Sequence, residues 1–344
     1  VVFGNHSVVA AGSHLWEASR WHQSRPMRRA GKPAEERRAI YTTEELKAAL
    51  ERNRENAPAV RVAQPLQLPH ADLPIDPYVL GCWLGDGSTT SARFASSRAD
   101  FPHFADEMRK AGHQVHTYAE RRNAIYFQLD RRDKAKTCRR GHDMEAVGVD
   151  SCGRCKACNS DRSAPYTVNG LSWRLRRIGL LNNKHVPDRY LTASEEQRRA
   201  LLQGLMDTDG CAATDGRAIF GNTNNLLAEA VYFLAASLGM KPTTKRRKRT
   251  YRGAPHIMWE VTFQAHSDAP PFRMQRKIAR CSAALDHPSR RRRMVNEVVE
   301  VAPREVSCIQ VDNEDGCYLV GRSLITPHNS TIEAHGLIDA MPTG

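Results

Sequence analysis

One short pattern occurs twice in this chain and constrains its fold more than any other feature. Residues 80–87 (LGCWLGDG) and residues 203–210 (QGLMDTDG) are apolar stretches that end in aspartate and glycine. Small and apolar residues let two helices approach closely, and glycine permits a sharp exit from a helix end. We therefore expect two similar halves whose helices pack together, with Asp86 and Asp209 at the same end.

Two carboxylates at one end of a helix pair could hold divalent metal between them. A two-metal arrangement activates water and stabilises the leaving oxygen during phosphodiester hydrolysis. For either motif alone, the simpler explanation is an ordinary helix that ends at a glycine cap. Asp86 and Asp209 together are the candidates for a catalytic metal site.

The surrounding sequence alternates between helical and strand-like patterns from Tyr78 onward. Residues 125–129 and 258–263 are strand-like, and their mixture with helical segments is typical of an α+β fold. Residues 65–77 contain four prolines and predict an extended linker. Residues 306–329 predict β-structure with an acidic turn at 313–316.

The charge of the chain indicates a polyanionic partner. There are 51 Lys and Arg residues against 38 acidic ones, a net charge of +13. Nucleic-acid affinity comes largely from neutralising phosphates, so basic clusters are candidate DNA or RNA contacts, although a solvated basic surface explains any single run equally well. The candidate DNA-binding run is Lys245, Arg246, Arg247, Lys248 and Arg249.

The apolar runs are too short for a membrane span. A span needs about 20 apolar residues, and the longest run, residues 226–240, is interrupted by Glu229 and Ser237. The first residues lack the pattern of a signal peptide, so we expect a cytoplasmic protein without membrane segments.

Four of the nine cysteines lie between residues 138 and 158. In a cytosolic chain this clustering favours metal binding over disulfides. A Cys-x-x-x-His pair and a Cys-x-x-Cys pair can each supply one edge of a tetrahedral zinc site, with Cys152 as an alternative to either cysteine of the second pair. The other interpretation is a set of reduced cysteines in a basic loop. The predicted structural Zn²⁺ ligands are Cys138, His142, Cys155 and Cys158.

A His-Asn-Ser tripeptide near the C-terminus has the groups that a self-cleaving peptide needs. The Asn329 side-chain nitrogen can attack its own backbone carbonyl, which forms a succinimide and cuts the next peptide bond. His328 can protonate the leaving amine or polarise the carbonyl. Ser330 offers a hydroxyl that can accept an acyl group first. Alone, such a tripeptide is more often a turn.

The second acidic motif resembles that of LAGLIDADG homing endonucleases. Residues 201–210 (LLQGLMDTDG) are preceded by HVP at 185–187 and EEQRR at 195–199, as in the endonucleases of inteins. The resemblance implies a pseudo-twofold αββαββ fold whose sheets saddle double-stranded DNA, with Asp86 and Asp209 as Mg²⁺ ligands. The candidates for a polarising lysine are Lys184, Lys245 and Lys248.

The C-terminal segment resembles the splicing motifs of inteins, which have the Hint fold. The resemblance rests on CIQVD at 308–312, GCYLVGR at 316–322 and HNS at 328–330. Upstream, residues 11–16 (AGSHLW) are similar to the Thr-x-x-His motif, with His14 matching and Ala11 in the place of Thr. The resemblance implies that His14 activates the N-terminal scissile bond.

Two further positions resemble class 3 inteins. That class has a cysteine where Cys308 stands and a tryptophan two residues after the motif histidine, as Trp16 is. In such inteins the internal cysteine attacks the upstream junction directly. The class's threonine should precede the penultimate histidine, but Pro327 stands there and Thr326 one position earlier. A buried strand cysteine is the alternative for Cys308.

These resemblances imply a multidomain chain, in which an all-β Hint horseshoe is split by the α+β endonuclease with its small zinc insert. Only thirteen residues precede His14, so we expect the first splicing motif to be missing. The predicted divisions are the N-terminal Hint part at 1–72, the endonuclease at 73–295 with a zinc module at 136–162, the C-terminal Hint part at 296–329 and host protein (C-extein) from 330 to 344.

The predicted partners are double-stranded DNA and the host protein, with the chain itself a monomer. Ser330-Thr331 fits the end of a phosphate-binding loop, so the host is expected to be a P-loop ATPase such as a helicase. The alternatives are a free-standing DNA-binding protein or nuclease whose His-Asn-Ser is accidental, and a zinc-dependent transcription factor without catalysis.

Overall fold

A computed structural model describes residues 1–20, 38–52, 57–130, 138, 140, 142–144, 146–150, 154–159, 170–251, 253–266, 268–282, 291–303, 305 and 309–329. The segments that flank the α/β region share a four-stranded flanking sheet, which consists of β3 (Leu15–Arg20), β4 (Ala39–Thr42), β5 (Pro58–Arg61) and β13 (Arg292–Met294). They also contain α1 (Thr43–Arg52) and a separate two-stranded sheet of β1 (Val2–Phe3) and β2 (His6–Ser7).

Strand β13 lies in this flanking sheet, whose antiparallel order is β13-β5-β3-β4, although its residues fall inside the range that the sequence assigned to the endonuclease. Arg293 lies opposite Val60, so the chain returns to the sheet that it left after β5. Trp16 and Val60 are fully buried beneath it together with Leu46 of α1. The flanking segments therefore form one body with its own core.

Helix α1 begins with a capping box formed by Thr42 and Glu45. The Glu45 backbone N–H donates to Thr42 Oγ1 at 3.1 Å, and the Thr42 N–H donates to Glu45 Oε2 at 2.7 Å. These reciprocal bonds satisfy two N–H groups that a helix start leaves without helical partners.

The α/β region consists of two halves with matching strand order. The first half contains α2 (Pro77–Asp86), β6 (Arg93–Ser97), α3 (Phe101–Lys110), β7 (Val115–Arg121), β8 (Ala124–Leu129) and α4 (Leu171–Arg177). After the short α5 (Asp188–Leu191), the second half contains α6 (Glu195–Thr208), β9 (Gly210–Ala212), β10 (Arg217–Asn222), α7 (Asn225–Ser237), β11 (Thr243–Tyr251), β12 (Ala254–Gln264) and α8 (Gln275–Ser282).

The strand orders are β7-β8-β6 in the first half and β11-β12-β10-β9 in the second. Gly87 bridges Phe94 in the first half as Gly210 pairs with Phe220 in the second, so the residue after each acidic position enters its sheet in the same way. The two similar halves predicted from the repeated motif are present.

Glycines let the two motif helices pack backbone to backbone. A Cβ added at Gly81 of α2 would lie 2.9 Å from the Gly204 Cα of α6, and one added at Gly204 would lie 2.9 Å from the Cys82 nitrogen. Side chains at these positions would force the helices apart. Both halves contribute to one hydrophobic core around this pair, in which Trp83 and Leu205 are fully buried.

The described residues near the C-terminus form isolated bridges where the sequence predicted strands. Cys317 bridges His328, and Ile325 bridges both Val62 and Val320. The predicted turn is present, since the Gly316 N–H donates to the Asn313 carbonyl at 3.1 Å. Among the helices that the structure describes, none has the length and apolarity that a membrane crossing requires.

Candidate active site

The two motif aspartates lie at the same end of the helix pair. Asp86 is the last residue of α2, and Asp209 caps the C-terminal end of α6. A Cβ built on Gly85 would lie 3.6 Å from the Asp209 carboxyl carbon, which measures how closely the two helix ends approach. Asn222 Nδ2 of β10 donates to Asp209 Oδ2 at 2.8 Å and fixes that carboxylate.

The electrostatics of this pair favour a bound cation. Desolvation at the closely packed helix ends raises the pKa of Asp86 to about 6, and the charge of Asp209 is the second cause. Burial also raises the pKa of Asp209, which the Asn222 hydrogen bond and two lysines partly oppose. A cation between the two carboxylates would favour their ionised forms, because its charge offsets their desolvation and mutual repulsion. Carboxylate oxygens are also the ligands that Mg²⁺ prefers, so these residues fit the predicted ion.

A lysine binds the C-terminal carbonyls of each motif helix. Lys184 Nζ donates to the Leu84 carbonyl at 2.9 Å, to Gly85 at 3.1 Å and to Gly87 at 2.7 Å. Burial lowers the pKa of Lys184 to about 8, against the raising effect of the two aspartates.

Lys277 of α8 makes three similar contacts in the second half, two of them at corresponding positions. Its Nζ donates to the carbonyls of Met206 at 2.9 Å, Asp207 at 2.7 Å and Gly210 at 2.7 Å. Asp207 and Gly210 correspond in the repeat to Leu84 and Gly87. Each carboxylate therefore has a cation on the equivalent carbonyls of its own helix end, where the helix dipole also favours positive charge.

Sequence reasoning named Lys184 and missed Lys277. The other two candidates, Lys245 and Lys248, are exposed on β11, and within the described part of the chain neither contacts Asp86 or Asp209. Sequence spacing could not reveal Lys277, because the cysteine-rich insertion separates Lys184 from the first motif by more residues than separate Lys277 from the second. The available signal was a lysine after the last strand of each half.

A buried network below the second motif holds α8 in place. Asp207 is 2% exposed, and its carboxylate accepts from the Tyr78 hydroxyl at 2.8 Å and from the backbone N–H groups of Arg273 at 3.1 Å and Met274 at 3.2 Å. The two N–H groups lie at the N-terminal end of α8, where an anionic cap is favourable. Asp207 thereby fixes the helix that presents Lys277.

The predicted DNA-binding run forms an exposed edge strand. Residues 245–249 lie on β11, which pairs only with β12 among the described strands of its sheet. Arg247 makes an ion pair with Glu260 at 3.2 Å, and the Arg246 guanidinium lies 5.9 Å from the Trp259 ring centre. The strand presents a row of cations, and its contact with DNA stays a prediction.

The four predicted zinc ligands come together. One ligand atom from each of Cys138, His142, Cys155 and Cys158 lies within 4.8 Å of all the others. Cys138 Sγ is 3.6 Å from Cys158 Sγ and 3.5 Å from His142 Nδ1. At a Zn–S bond of about 2.3 Å, a tetrahedral edge is about 3.8 Å, so the set fits zinc. The alternative ligand, Cys152, lies outside the described residues.

The predicted splicing residues converge at the flanking sheet. His328 Nδ1 is 2.7 Å from the Asn329 carbonyl oxygen, and the His328 N–H donates to the Leu15 carbonyl at 3.1 Å. Burial, and after it the His328 charge, lowers the pKa of His14. The two histidines are therefore close enough to interact electrostatically, although 314 residues of sequence separate them.

Trp16 supports His14 through a threonine that the sequence did not single out. The Trp16 indole N–H donates to Thr43 Oγ1 at 2.9 Å, and that hydroxyl donates to the His14 carbonyl at 3.3 Å. Cys308 and Ser330 lie outside the described residues, so their predicted roles have no structural account.

The second half of the α/β region contains a match to a protein family. Residues 196–268 match the family model described as a LAGLIDADG-like domain. The replicative DNA helicase DnaB of Mycobacterium intracellulare is 30% identical over 273 residues, which cover 78% of this chain and 38% of the helicase. The chain thus spans less than half the length of that relative.

Two crystal structures of I-DmoI were also found. The complex with DNA and calcium has a TM-score of 0.30 and 13% identity, and covers 56% of this chain and 83% of I-DmoI. A variant with its target DNA and magnesium has a TM-score of 0.30 and 11% identity, and covers 62% and 95%. On the family match, residues 196–268, which hold most of α6, the second acidic motif and its sheet, are part of a LAGLIDADG-like domain.

Proposed function

We propose that the α/β region is a homing endonuclease that cuts both strands of DNA, with Asp86 and Asp209 as its active-site carboxylates. The observation that carries this is the pairing of two carboxylates at the helix ends, each with a lysine on equivalent carbonyls. One carboxylate would serve each strand. The basic edge strand of residues 245–249 would bind phosphates through counterion release.

Asp86 and Asp209 would hold Mg²⁺, which supplies an activated water and a Lewis acid at the phosphodiester when bound. Lys184 and Lys277 would keep their charges beside the reacting phosphate, where they favour its negative transition state. Asn222 donates to Asp209 Oδ2 and orients the carboxylate, whose other oxygen would be available to the metal.

The test is cleavage of the intein-less helicase gene from the organism that carries this chain. Linear double-strand products that require magnesium are expected from the parent. The Asp86→Asn/Asp209→Asn double variant should bind the same duplex without cutting it. Equal cleavage by the double variant would rule out this active site.

We also propose that the flanking segments are a protein-splicing domain. The supporting observation is the 2.7 Å separation between His328 Nδ1 and the Asn329 carbonyl oxygen, because polarising that carbonyl prepares it for attack by the Asn329 side-chain nitrogen. The attack forms the succinimide ring, and the backbone nitrogen of Ser330 leaves with a proton as a free amine. Cys308 would attack the upstream junction in a class 3 mechanism.

Mass spectrometry of the purified chain tests the splicing proposal. We expect slow release of the peptide that begins at Ser330, no release from Asn329→Ala, and release slowed by roughly 10²–10⁴-fold in His328→Ala. Cys308→Ala should leave this release unchanged but block upstream cleavage in a chain with both junctions. An intact parent mass after prolonged incubation would favour a free-standing nuclease instead.

The host protein is proposed to be a replicative helicase. The similarity to DnaB supports this, as does the Ser330-Thr331 pair expected at the end of a phosphate-binding loop. The upstream host segment should then end in Gly-Lys. Any other ending would exclude insertion at that loop.

The cysteine-histidine cluster is proposed to be a closed, structural zinc site. Three sulfurs and one nitrogen leave no open position for water, so the ion would stabilise the insertion and take no part in hydrolysis. The zinc content of freshly purified protein tests it.

A further inference from the structure

A cavity of about 450 Å³ lies where the flanking sheet meets the second half of the α/β region. Its walls come from the β1–β2 turn, the residues that lead into β11, and β13 with the residues after it. The ionisable side chains of this lining are all basic, and no carboxylate belongs to it: they are His6, Lys241, Arg292 and Arg293.

Arg293 is a buried charge without a compensating acid in the described part of the chain. It is only 7% exposed, and one guanidinium N–H donates to the Ser323 carbonyl at 2.9 Å. Its Nε is buried and has no hydrogen-bond partner among the described residues. An unpaired buried ion destabilises the folded state, and a buried N–H without an acceptor destabilises it further.

The neighbouring Arg322, in contrast, has an acidic partner. Arg322 forms an ion pair with Glu229 at 2.6 Å, whereas no carboxylate of the described chain lies within ion-pair distance of Arg293. Burial lowers the pKa of His6, and the charges of Arg293 and Arg322 lower it further. Among the described groups, Arg293 is therefore a positive charge beside the cavity that no carboxylate pairs.

We propose that this cavity binds a tetrahedral oxyanion of the phosphate class, held by Arg293, Arg292 and Lys241. Guanidinium and ammonium groups are the usual phosphate ligands in proteins, and the volume accommodates a phosphate group. The anion would join the flanking sheet to the second half of the α/β region.

The phosphate has two sources, free inorganic phosphate and the DNA backbone. Thr243 lines the cavity and is also the first residue of β11, so a duplex that follows the basic residues 245–249 would bring a phosphodiester to its mouth. The DNA source rests on the proposed endonuclease function, whereas the inorganic source does not.

The first measurement is thermal unfolding of the whole chain in sodium phosphate and in sodium chloride of equal ionic strength. Phosphate should raise the parent Tm by roughly 2–5 °C more than chloride does, as expected for millimolar binding to the folded state. Arg293→Met and Lys241→Met should both lose this difference. Lys245→Met, on the exposed strand, should retain it.

The second measurement is duplex binding against salt concentration. A phosphodiester in the cavity predicts that the slope of log K against log salt falls by about one in Lys241→Met. An unchanged slope together with the phosphate-specific Tm rise assigns the site to inorganic phosphate. The proposal fails if phosphate stabilises the parent no more than chloride and the slope is also unchanged.

A DNA-cleavage assay distinguishes failure of the cavity proposal from failure of the proposed endonuclease function. Phosphate binding in a protein that does not cut DNA would leave the cavity proposal standing and remove only its DNA source. Normal cutting without a phosphate effect or a slope change would refute the cavity proposal alone.

Discussion

The two halves of the α/β region share one backbone frame but differ in the polar groups that support it. Leu84 in the first motif corresponds to Asp207 in the second, and both are buried. Leu84 only packs in the core, whereas Asp207 accepts three hydrogen bonds and fixes the start of α8. The second lysine is therefore held by a helix, and the first, Lys184, lies in the loop between α4 and α5.

The hydrogen bonds that support the two carboxylates also differ, and the additional one is again in the second half. Asn222 donates to Asp209, but the matching residue of β6 is Ser96, whose hydroxyl donates to the Ser97 carbonyl at 3.2 Å. The cysteine-histidine cluster also belongs to one half, since it lies between β8 and α4. Two sites with similar lysine–carbonyl contacts are therefore preorganised to different degrees.

Removing zinc should produce the largest difference between the halves, because apparent binding free energies of structural zinc are about 10–16 kcal/mol. Chelation should release one equivalent of zinc and expose amides of residues 138–158 to hydrogen exchange, while β9–β12 keep their protection. Cys155→Ser/Cys158→Ser should behave like the chelated protein. Cys211→Ser, which changes an exposed cysteine of the second half, is the control. Freshly purified protein without zinc would contradict the site.

Single aspartate variants should separate the two strands of the target. Asp86→Asn and Asp209→Asn should each slow cutting of one strand by about 10³-fold, since metal catalysis supplies several kcal/mol at 1.36 kcal/mol per tenfold. Strand-labelled duplexes should show nicks on opposite strands. Loss of the same strand in both variants would show that the carboxylates act as one site.

Asp207→Asn should weaken only the second site. It removes the anionic cap of α8 and loosens Lys277, and loss of such supporting groups typically costs 10–100-fold in activity or metal affinity. The expected readout is slower nicking of the strand that Asp209 serves, with the other strand unchanged. Asp215→Asn, the control, breaks the exposed ion pair with Arg217, which is 2.7 Å long, and should leave both strands unaffected.

The helix pair is shared by both halves, so changes there should not distinguish them. Gly81→Ala should lower the free energy of unfolding by about 1–3 kcal/mol, because its Cβ would meet the backbone of α6. Gly221→Ala, whose Cβ would meet only the flexible Met258 side chain at 3.4 Å, should change it by less than about 0.5 kcal/mol. Denaturant unfolding measures both. Equal changes in the free energy of unfolding of the two variants would mean that the helices can move apart at Gly81 without destabilising the protein.

Local chemistry determined much of what the sequence predicted. The apolar motif helices, the turn before Gly316 and the four clustered metal ligands each depend on residues close in the chain. Spacing of this kind fixes which groups can meet, because a turn or a helix end has a nearly constant geometry. The repeat also predicted the two halves, since two copies of one motif imply two copies of its surroundings.

The tertiary structure decided the contacts between distant segments. Lys277, Asn222 and Asp207 act on the motif ends through packing that the spacing of residues does not encode. The same holds for β13, which three residues of strand pattern could not assign to the flanking sheet. Short strands carry too little periodicity to choose a partner, and a side chain that reaches a carbonyl from another element does so only after both elements are packed. The sequence alone determined the motif helices, their carboxylates and the metal-ligand set, while folding selected the lysines and the buried cap that support them.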